Sequence, residues 1–184
     1  MNDLLYKIKS RFMEWFSDIR VYPIGLVLYG QTSYEIKGED IRLILNIIKP
    51  GDVLLRRYKH FIGSMIVPGY FSHVGLYVGD GSVYHMAFTG IVKEDILTFT
   101  RCDSICILRL CSGSVVQAID IANELLVKDV PYDFSFESIP DRMYCTEFID
   151  TVYGHPIGAI NGGAVIMPDE LMECGFFEVI WIKT

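Results

Sequence analysis

The chain is short of positive charge. It carries 16 lysine and arginine residues against 23 aspartate and glutamate residues, a formal net charge of -7. Binding to nucleic acid or to an anionic membrane surface needs a concentrated basic face, so this balance argues against both partners. Small molecules, peptides, amides and lipid acyl groups remain open as ligand classes.

Long apolar runs are missing as well. No run approaches the ~18 residues that a helix needs to span a bilayer, so we expect no transmembrane segment. The first residues, Met1 to Lys7, lack the basic region followed by an apolar core that is typical of a secretion signal. The five cysteines are an odd number, which together with the missing signal favours reduced thiols. These features predict a soluble, cytoplasmic protein.

The cysteines also lack the spacing of a structural zinc site. Cys102, Cys106 and Cys111 are four and five residues apart, so they supply no C-x-x-C pair, and the residues between the last two are typical of a strand. No phosphate-binding loop motif is present either. We therefore expect neither a metal nor an organic cofactor.

What the chain does contain is enough apolar sequence for one core. With 184 residues and a 51% hydrophobic share, it suits a single globular domain that buries roughly 70% of its unfolded surface. Residues 1–48 form a helical extension that we expect to pack on the same domain, which spans 49–184. Apolar residues recur at intervals of three and four over Leu4–Ile19 and over Glu39–Ile48, which predicts two helices.

The first helix needs a partner for its apolar face. We expect that face to pack on the domain's own sheet or to form a homodimer contact, and an anchor at a membrane interface is the alternative. The residues assigned to the face are Leu5, Ile8, Phe12, Trp15, Phe16 and Ile19.

Beyond residue 49, short apolar segments separated by turn residues predict an α+β arrangement. The expected strands are 53–55, 74–78, 83–88, 105–110 and a closing edge strand over 176–182. The expected helices are 115–127, one beginning near Cys145 and one beginning at Pro168.

Three side chains in this pattern could perform chemistry together. His73 and His85 lie on adjacent strands of a hairpin that turns near Asp80, and neighbouring strands are about 4.8 Å apart. Cys145 opens a helix, where unpaired N–H groups and the macrodipole lower a thiol pKa and can hold an oxyanion. Imidazole carries protons near neutral pH and thiolate is a strong nucleophile, so the set indicates a thiol hydrolase site. Taken alone, the histidines could instead be a metal site or a buried pair.

The motifs around these residues resemble a known family. Gly51-Asp52 before a strand, then Ser72-His73-Val74-Gly75 and Val78-Gly79-Asp80-Gly81, with a second histidine twelve positions after the first, resemble the NlpC-type papain-like hydrolases. In most of that superfamily the cysteine helix precedes this sheet, whereas Tyr144-Cys145-Thr146-Glu147 follows it. The chain is therefore similar to the circularly permuted branch, the YiiX/YaeF-like amidases and their lecithin-retinol-acyltransferase-like relatives. Pro168-Asp169-Glu170-Leu171 and the closing Phe176-Phe177-Glu178-Val179 also resemble that branch.

The resemblance covers roughly Lys49 to the C-terminus. It implies a circularly permuted papain-like fold, with an antiparallel sheet or partial barrel packed against helices. It also implies Cys145 as the nucleophile, His73 as general base and acid, His85 as the group that orients His73, and Tyr132 as a lining residue of the substrate site. Permuted relatives often use an acidic third member, and His85 stands at that position here.

The function implied is that of a cysteine amidase or peptidase. It would act through a thioester acyl-enzyme on an amide bond of a peptide or a related small substrate. A thiol acyltransferase or lipid acyl hydrolase is the alternative, and a non-catalytic module that binds a peptide or fatty chain is a third hypothesis.

Two further groups of charged residues have a structural and a functional interpretation. Glu147, at a helix start, is better explained by the helix dipole than as a second acid. The basic patch could be a solvated strand end or an anion site for a substrate headgroup or carboxylate. Its members are Arg56, Arg57, Lys59 and His60.

Overall fold

The computed structural model describes residues 3–17, 19–21, 27–29, 34–136, 141–160, 162 and 164–184. The helices are α1 (Asp3–Ser17), α2 (Gly38–Ile47), α3 (Ile62–Ile66), α4 (Ile96–Phe99), α5 (Val115–Lys128), α6 (Cys145–Val152), α7 (Pro156–Ile160) and α8 (Glu170–Glu173). The strands are β1 (Ile19–Val21), β2 (Val27–Tyr29), β3 (Val53–Arg57), β4 (His73–Gly79), β5 (Ser82–Ala87), β6 (Gly90–Asp95), β7 (Ser104–Leu110) and β8 (Phe177–Lys183).

The main sheet has six strands in the spatial order β6-β5-β4-β3-β7-β8. Every neighbouring pair is antiparallel, and β1 and β2 form a separate antiparallel pair. The turn between β4 and β5 uses Asp80 and Gly81, which both have positive φ, at 48° and 68°. This is the Asp-Gly turn that a two-residue hairpin favours, because its twist matches that of the strands. The expected α+β class is confirmed.

Alternate residues of the sheet enter two separate cores. Val53, Leu55, Val74 and Leu76 belong to the core on the side of α5 and α6. Leu54, Val83, Ile105 and Ile107 belong to the core on the other side, with Ile44 of α2 and Phe99 of α4. Helices therefore cover both faces of the sheet, and an alternating strand places consecutive side chains in different cores.

The sequence located the longer elements to within one or two residues. These include α2, the hairpin strands β4 and β5, and α5, and β8 lies at the predicted edge of the sheet. The elements that it missed are α3, α4, α7, β1, β2 and β6, which have three to six residues each. Segments this short hold too few turns or alternations to show a period.

Leu5, Ile8 and Phe12 of the face predicted for α1 do not pack on the domain's own sheet, whereas Phe16 is half-buried and stacks on Phe12. Leu5, Ile8 and Phe12 are 61%, 59% and 52% exposed. The helix instead turns Tyr6 towards the domain, where its hydroxyl donates to the carbonyl of Tyr132. Lys9 Nζ donates to the carbonyl of Phe134 over 2.6 Å. Helix α1 is thus fastened to the segment that carries Tyr132, and its apolar stripe faces outward.

The side chains of Trp15 and Ile19, which were assigned to the same stripe, lie outside the described residues. A homodimer contact through the outward stripe stays a prediction. None of the described helices combines the length and the apolar character that crossing a membrane requires.

Candidate active site

The site lies where β4 and β5 separate. Their ladder ends at the pair Leu76 and Tyr84. Beyond that pair β4 continues alongside β3 as far as His73, while β5 continues alongside β6 as far as Ala87. The two strands therefore diverge at this end of the sheet, and the divergence opens a fork whose edges carry His73 and His85.

The two imidazoles are in direct contact in this fork. His73 Nε2 lies 3.0 Å from His85 Nδ1, with the ring planes at 88°. Both rings also pack on Phe99, at centroid distances of 6.1 and 5.3 Å. A hydrogen bond between two imidazoles uses one ring as donor and the other as acceptor, so their tautomers are coupled.

Gly75 makes room for the aromatic floor beneath the imidazoles. A Cβ at this position would lie 2.7 Å from a methyl carbon of Val83 and 2.9 Å from the ring of Phe99. Any side chain here would push Phe99 away from the sheet. The glycine of the Ser-His-Val-Gly motif thus allows Phe99 to pack against the sheet, where its ring contacts both imidazoles.

A carboxylate and a guanidinium continue the contacts beyond His85. Glu94 Oε2 lies 3.2 Å from His85 Nε2, although the N–H direction is poorly aligned for a full hydrogen bond. Arg56 Nη1 donates to the same oxygen over 3.1 Å and to the carbonyl of Phe99 over 3.3 Å. Arg56 stacks on the Phe99 ring at 4.0 Å. The buried cation is therefore paired and packed.

These surroundings keep the imidazoles neutral. Burial lowers the pKa of His73 well below its usual value, and the positive charge of Arg56 lowers it further. Burial also lowers the pKa of His85, although the contact with Glu94 acts in the opposite direction. Burial alone would raise the pKa of Glu94, but His85 and Arg56 together lower it. The resting arrangement is a neutral imidazole pair beside an ionised carboxylate.

Cys145 is the first residue of α6, and its neighbours define the start of that helix. Tyr144 has the extended backbone of an N-cap residue, and its N–H donates to the Glu147 carboxylate over 3.4 Å. Thr146 Oγ1 donates to the carbonyl of Ile166 over 2.5 Å. The Glu147 carboxylate therefore caps the start of the helix by accepting the Tyr144 N–H. This agrees with its interpretation as a residue that stabilises the helix start rather than a second catalytic acid.

The pKa expected for the Cys145 thiol is wrong in direction. Burial raises it to about 11, and the backbone N–H groups of Thr146 and Val74 offset only part of that rise. The side chain is 7% exposed, and the neutral His73 supplies no positive charge to hold a thiolate. Desolvation here outweighs the helix start, so the thiol rests in its neutral form.

The thiol and the imidazoles approach the fork from opposite sides of the sheet. Cys145 belongs to the core beneath α5 and α6, whereas the His73 and His85 rings contact Phe99 in the other core. In the described part of the chain, the thiol interacts with backbone N–H groups and with Tyr132, and the His73 imidazole is not among its hydrogen-bonding partners. The N–H of Val74, next to His73, is one of these groups. Catalytic contacts are often long in a free enzyme and tighten when substrate binds.

A cavity of about 330 Å³ opens beside the imidazole pair, and Cys145 is not among the residues that line it. His73, His85 and Arg56 line one part of it, and Tyr132 lines another. The Tyr132 phenol interacts with the thiol of Cys145, and burial followed by that thiol raises its pKa well above the usual value. Most of the remaining wall is apolar, namely Met13, Tyr58, Phe61, Gly63, Ile66, Val67, Met86, Ala87, Phe88 and Phe136.

The basic patch does not form one surface. Arg56 is 9% exposed, so its interpretation as a solvated strand end is wrong. Arg57 donates to the carbonyls of Gly69 and Tyr70, and Lys59 pairs with Glu35 over 2.7 Å. Only Arg56 of these three lines the cavity.

Sequence reasoning missed three residues that hold this arrangement. Glu94 and Phe99 lie on β6 and α4, which were not predicted, although the Thr89-Gly90 turn after β5 was a signal for a further strand. Asp169 was noted only as part of a motif. Its carboxylate accepts hydrogen bonds from the N–H groups of Tyr70 and Phe71, and it thereby fixes the segment that leads into His73.

Metal binding has no obvious location in the described residues, where no group of three or more His, Cys, Asp or Glu side chains is placed to hold an ion.

Comparison with known proteins bears on the fold and the family of the chain. No curated protein and no solved structure matches the chain. A family model described as a permuted papain-like amidase enzyme, YaeF/YiiX, C92 family, matches residues 47–172, which is more than half of the chain. The match confirms the permuted fold expected from the order of the histidine hairpin and the cysteine helix. The chain therefore belongs to the YaeF/YiiX family of permuted papain-like amidases.

Proposed function

We propose that the protein is a cysteine amidase in which Cys145 is the nucleophile, His73 the general base and acid, and His85 its orienting partner. The observation that carries the proposal is the fork between β4 and β5. There the thiol lies against the Val74 N–H on one face of the sheet, and the preceding residue, His73, places an imidazole that is hydrogen-bonded to a second imidazole on the other face. The mechanism requires the thiol and His73 to come into contact when substrate binds. Tyr132 interacts with the thiol and also lines the cavity, which in this proposal receives the substrate.

The first chemical step starts from a neutral pair. The Cys145 sulfur attacks the amide carbonyl carbon while His73 Nδ1 takes the thiol proton, which suits a thiol whose pKa burial raises to about 11. Backbone N–H groups at the start of α6 hold the carbonyl oxygen as it becomes negative. The His73 imidazolium then gives its proton to the leaving nitrogen, the C–N bond breaks and a thioester remains on Cys145.

Water completes the cycle. His73 takes a proton from the attacking water, the C–S bond breaks, and the proton returns to the Cys145 sulfur as the carboxylic acid leaves. The same residues can transfer the acyl group to an amine or alcohol if that acceptor reaches the thioester before water does. The apolar wall of the cavity favours a substrate with an apolar group beside the scissile carbonyl.

The decisive test is capture of the acyl group on Cys145. We would incubate the protein with N-acyl amides and with the matching activated acyl esters, and locate acyl adducts by mass spectrometry of peptides. We expect a transient thioester on Cys145 in the natural protein, and loss of amide cleavage to the background rate in Cys145→Ala.

The matched control for this test is Cys111→Ala, because Cys111 is exposed and not part of the site. It should cleave the amide at the natural rate. Full activity of Cys145→Ala, or adducts on Cys111 and not on Cys145, would overturn the proposal.

A second candidate is a thiol acyltransferase or lipid acyl hydrolase. The apolar cavity wall favours it, together with the exposed apolar side chains of α1 and α3, among them Phe12 at 52% and Met65 at 65%. A comparison of kcat/KM for one acyl group presented as a soluble peptide amide and as a micellar lipid ester separates the two. Faster turnover of the ester, or acyl transfer to an added amine, would favour this candidate.

A further inference from the structure

The contact between His85 and Glu94 extends the site beyond the three residues of the proposed mechanism. The two histidines share one hydrogen bond, from His73 Nε2 to His85 Nδ1 or in the opposite direction. Only one of these directions leaves His73 Nδ1 unprotonated and able to take the thiol proton. Something in the structure must select it.

The carboxylate of Glu94 provides that selection. An ionised carboxylate accepts hydrogen bonds and cannot donate one, and Glu94 Oε2 lies 3.2 Å from His85 Nε2. Although the N–H direction is poorly aligned for a full hydrogen bond, a proton on His85 Nε2 lies beside this negative oxygen and is attracted to it, whereas a lone pair there would be repelled. With the proton on Nε2, neutral His85 has a lone pair on Nδ1, so His73 must donate from its own Nε2. His73 Nδ1 then carries the lone pair.

Burial alone would raise the pKa of Glu94, but His85 and Arg56 together lower it, and Arg56 also holds the carboxylate in place. Its Nη1 donates to the same Oε2 over 3.1 Å. The register pairs Glu94 with Val83 on β5, so the carboxylate lies on the same sheet face as His85, two residues further along β5. The charged and titratable groups around the imidazole pair, in the described chain, are Arg56 from β3, Glu94 from β6 and the nearby phenol of Tyr58.

We propose that Glu94 is a positioning residue that sets the tautomers of His85 and His73, so that His73 Nδ1 is the base that faces the reaction. This inference rests on the proposed function for its catalytic meaning, but the tautomers themselves are a property of the free protein. Glu94 touches neither the substrate nor the thiol in this mechanism.

Nitrogen NMR of the ring atoms tests the inference without any substrate. The chain has four histidines, whose signals can be assigned from single His→Gln variants. In the natural protein we expect Nε2 protonated and Nδ1 unprotonated in both His73 and His85. In Glu94→Gln we expect His85 to populate both tautomers, because the amide can donate as well as accept. A natural protein with His85 protonated on Nδ1 would overturn the inference even if no variant folds.

Kinetics give a second readout. Glu94→Gln should lower kcat roughly ten- to a hundredfold with little change in KM, and Glu94→Asp should recover part of the loss. The matched control is Glu124→Gln. This substitution makes the same carboxylate-to-amide change at an exposed position of α5, and it should change neither the tautomers nor kcat. Unchanged tautomers in a folded Glu94→Gln variant would overturn the inference while leaving the role of Cys145 intact. If Cys145 proved not to be the nucleophile, the NMR test of the tautomers would remain valid, because it does not depend on the reaction.

Discussion

The imidazole side of the candidate site is held by directed polar contacts, whereas the thiol side is mostly apolar. His73, His85, Glu94 and Arg56 are connected by contacts of 3.0 to 3.2 Å. Cys145 instead lies in the core beneath α5 and α6, where backbone N–H groups are its main polar neighbours. The imidazole pair is thus oriented by its own hydrogen bonds, whereas the thiol is positioned mainly by packing.

This difference indicates how the reaction is controlled. A thiol whose pKa burial raises to about 11 and an imidazole whose pKa burial and Arg56 lower do not form an ion pair at rest. Charge separates only when a carbonyl is present to accept the sulfur. The proposed mechanism therefore depends on His73 as a base more than on the helix start as an activator of the thiol.

Removal of the His73 side chain should have the largest effect on activity, because it removes the proposed base. We expect His73→Ala to lower kcat/KM by about a thousandfold, because general acid–base catalysis commonly contributes a factor of this size. His85→Ala should cost less, roughly a hundredfold, because His73 remains and loses only its partner. Steady-state kinetics on a reactive amide provide the measurement.

The control for both variants is His155→Ala. The side chain of His155 is 64% exposed and contacts Asp150, so its removal should leave kcat/KM unchanged. If His85→Ala is as damaging as His73→Ala, or if neither variant loses activity, the division of roles between the two histidines is wrong.

The extent to which the sequence predicted this site follows from how local each contact is. His73 and His85 belong to one hairpin with an Asp-Gly turn, so their proximity could be inferred from spacing alone. Cys145 is brought to the same fork only by the packing of α6 on β4 and β5, which no local pattern contains. The sequence marked it as the start of a helix, and its assignment as the nucleophile came from the resemblance to a family.

The polar contacts beyond the histidines were missed for a related reason. Glu94 reaches His85 through the register of β6, and Arg56 reaches Glu94 from β3, so both contacts need the sheet order. The direction of the Cys145 pKa was wrong because a helix start is visible in sequence, whereas the depth of burial is not. The outward stripe of α1 shows the same limit, since periodicity identifies an apolar face but not the surface that it meets.

A smaller change should disturb the polar side without removing any of its groups. Gly75→Ala would place a Cβ 2.9 Å from the Phe99 ring and 2.7 Å from Val83. Because Phe99 supports both imidazoles, we expect kcat to fall by roughly ten- to a hundredfold. The overpacking should also lower the free energy of unfolding by about 1–3 kcal/mol, which urea denaturation measures.

Gly38→Ala is the matched control for this substitution. The nearest atom to its new Cβ would be Arg42 Nη1 at 3.6 Å, an ordinary contact, and the residue lies in α2, where alanine is favoured over glycine. It should leave kcat unchanged and the stability equal or slightly higher. An active, fully stable Gly75→Ala would show that the position of Phe99 does not matter to the histidines.

The mildest test changes the charge beside the imidazoles and leaves both rings in place. Arg56 lowers the pKa of His73 and of His85, so Arg56→Met should raise both. A base with a higher pKa becomes neutral only at higher pH, and the acid limb of the kcat/KM profile should therefore move to higher pH. Arg57→Met, the next residue on β3, removes the same charge beside Gly69 and Tyr70 and should leave the limb in place. Equal shifts in both variants would assign the effect to net charge rather than to the buried contact, and burial alone would then account for the neutral resting state of the imidazole side.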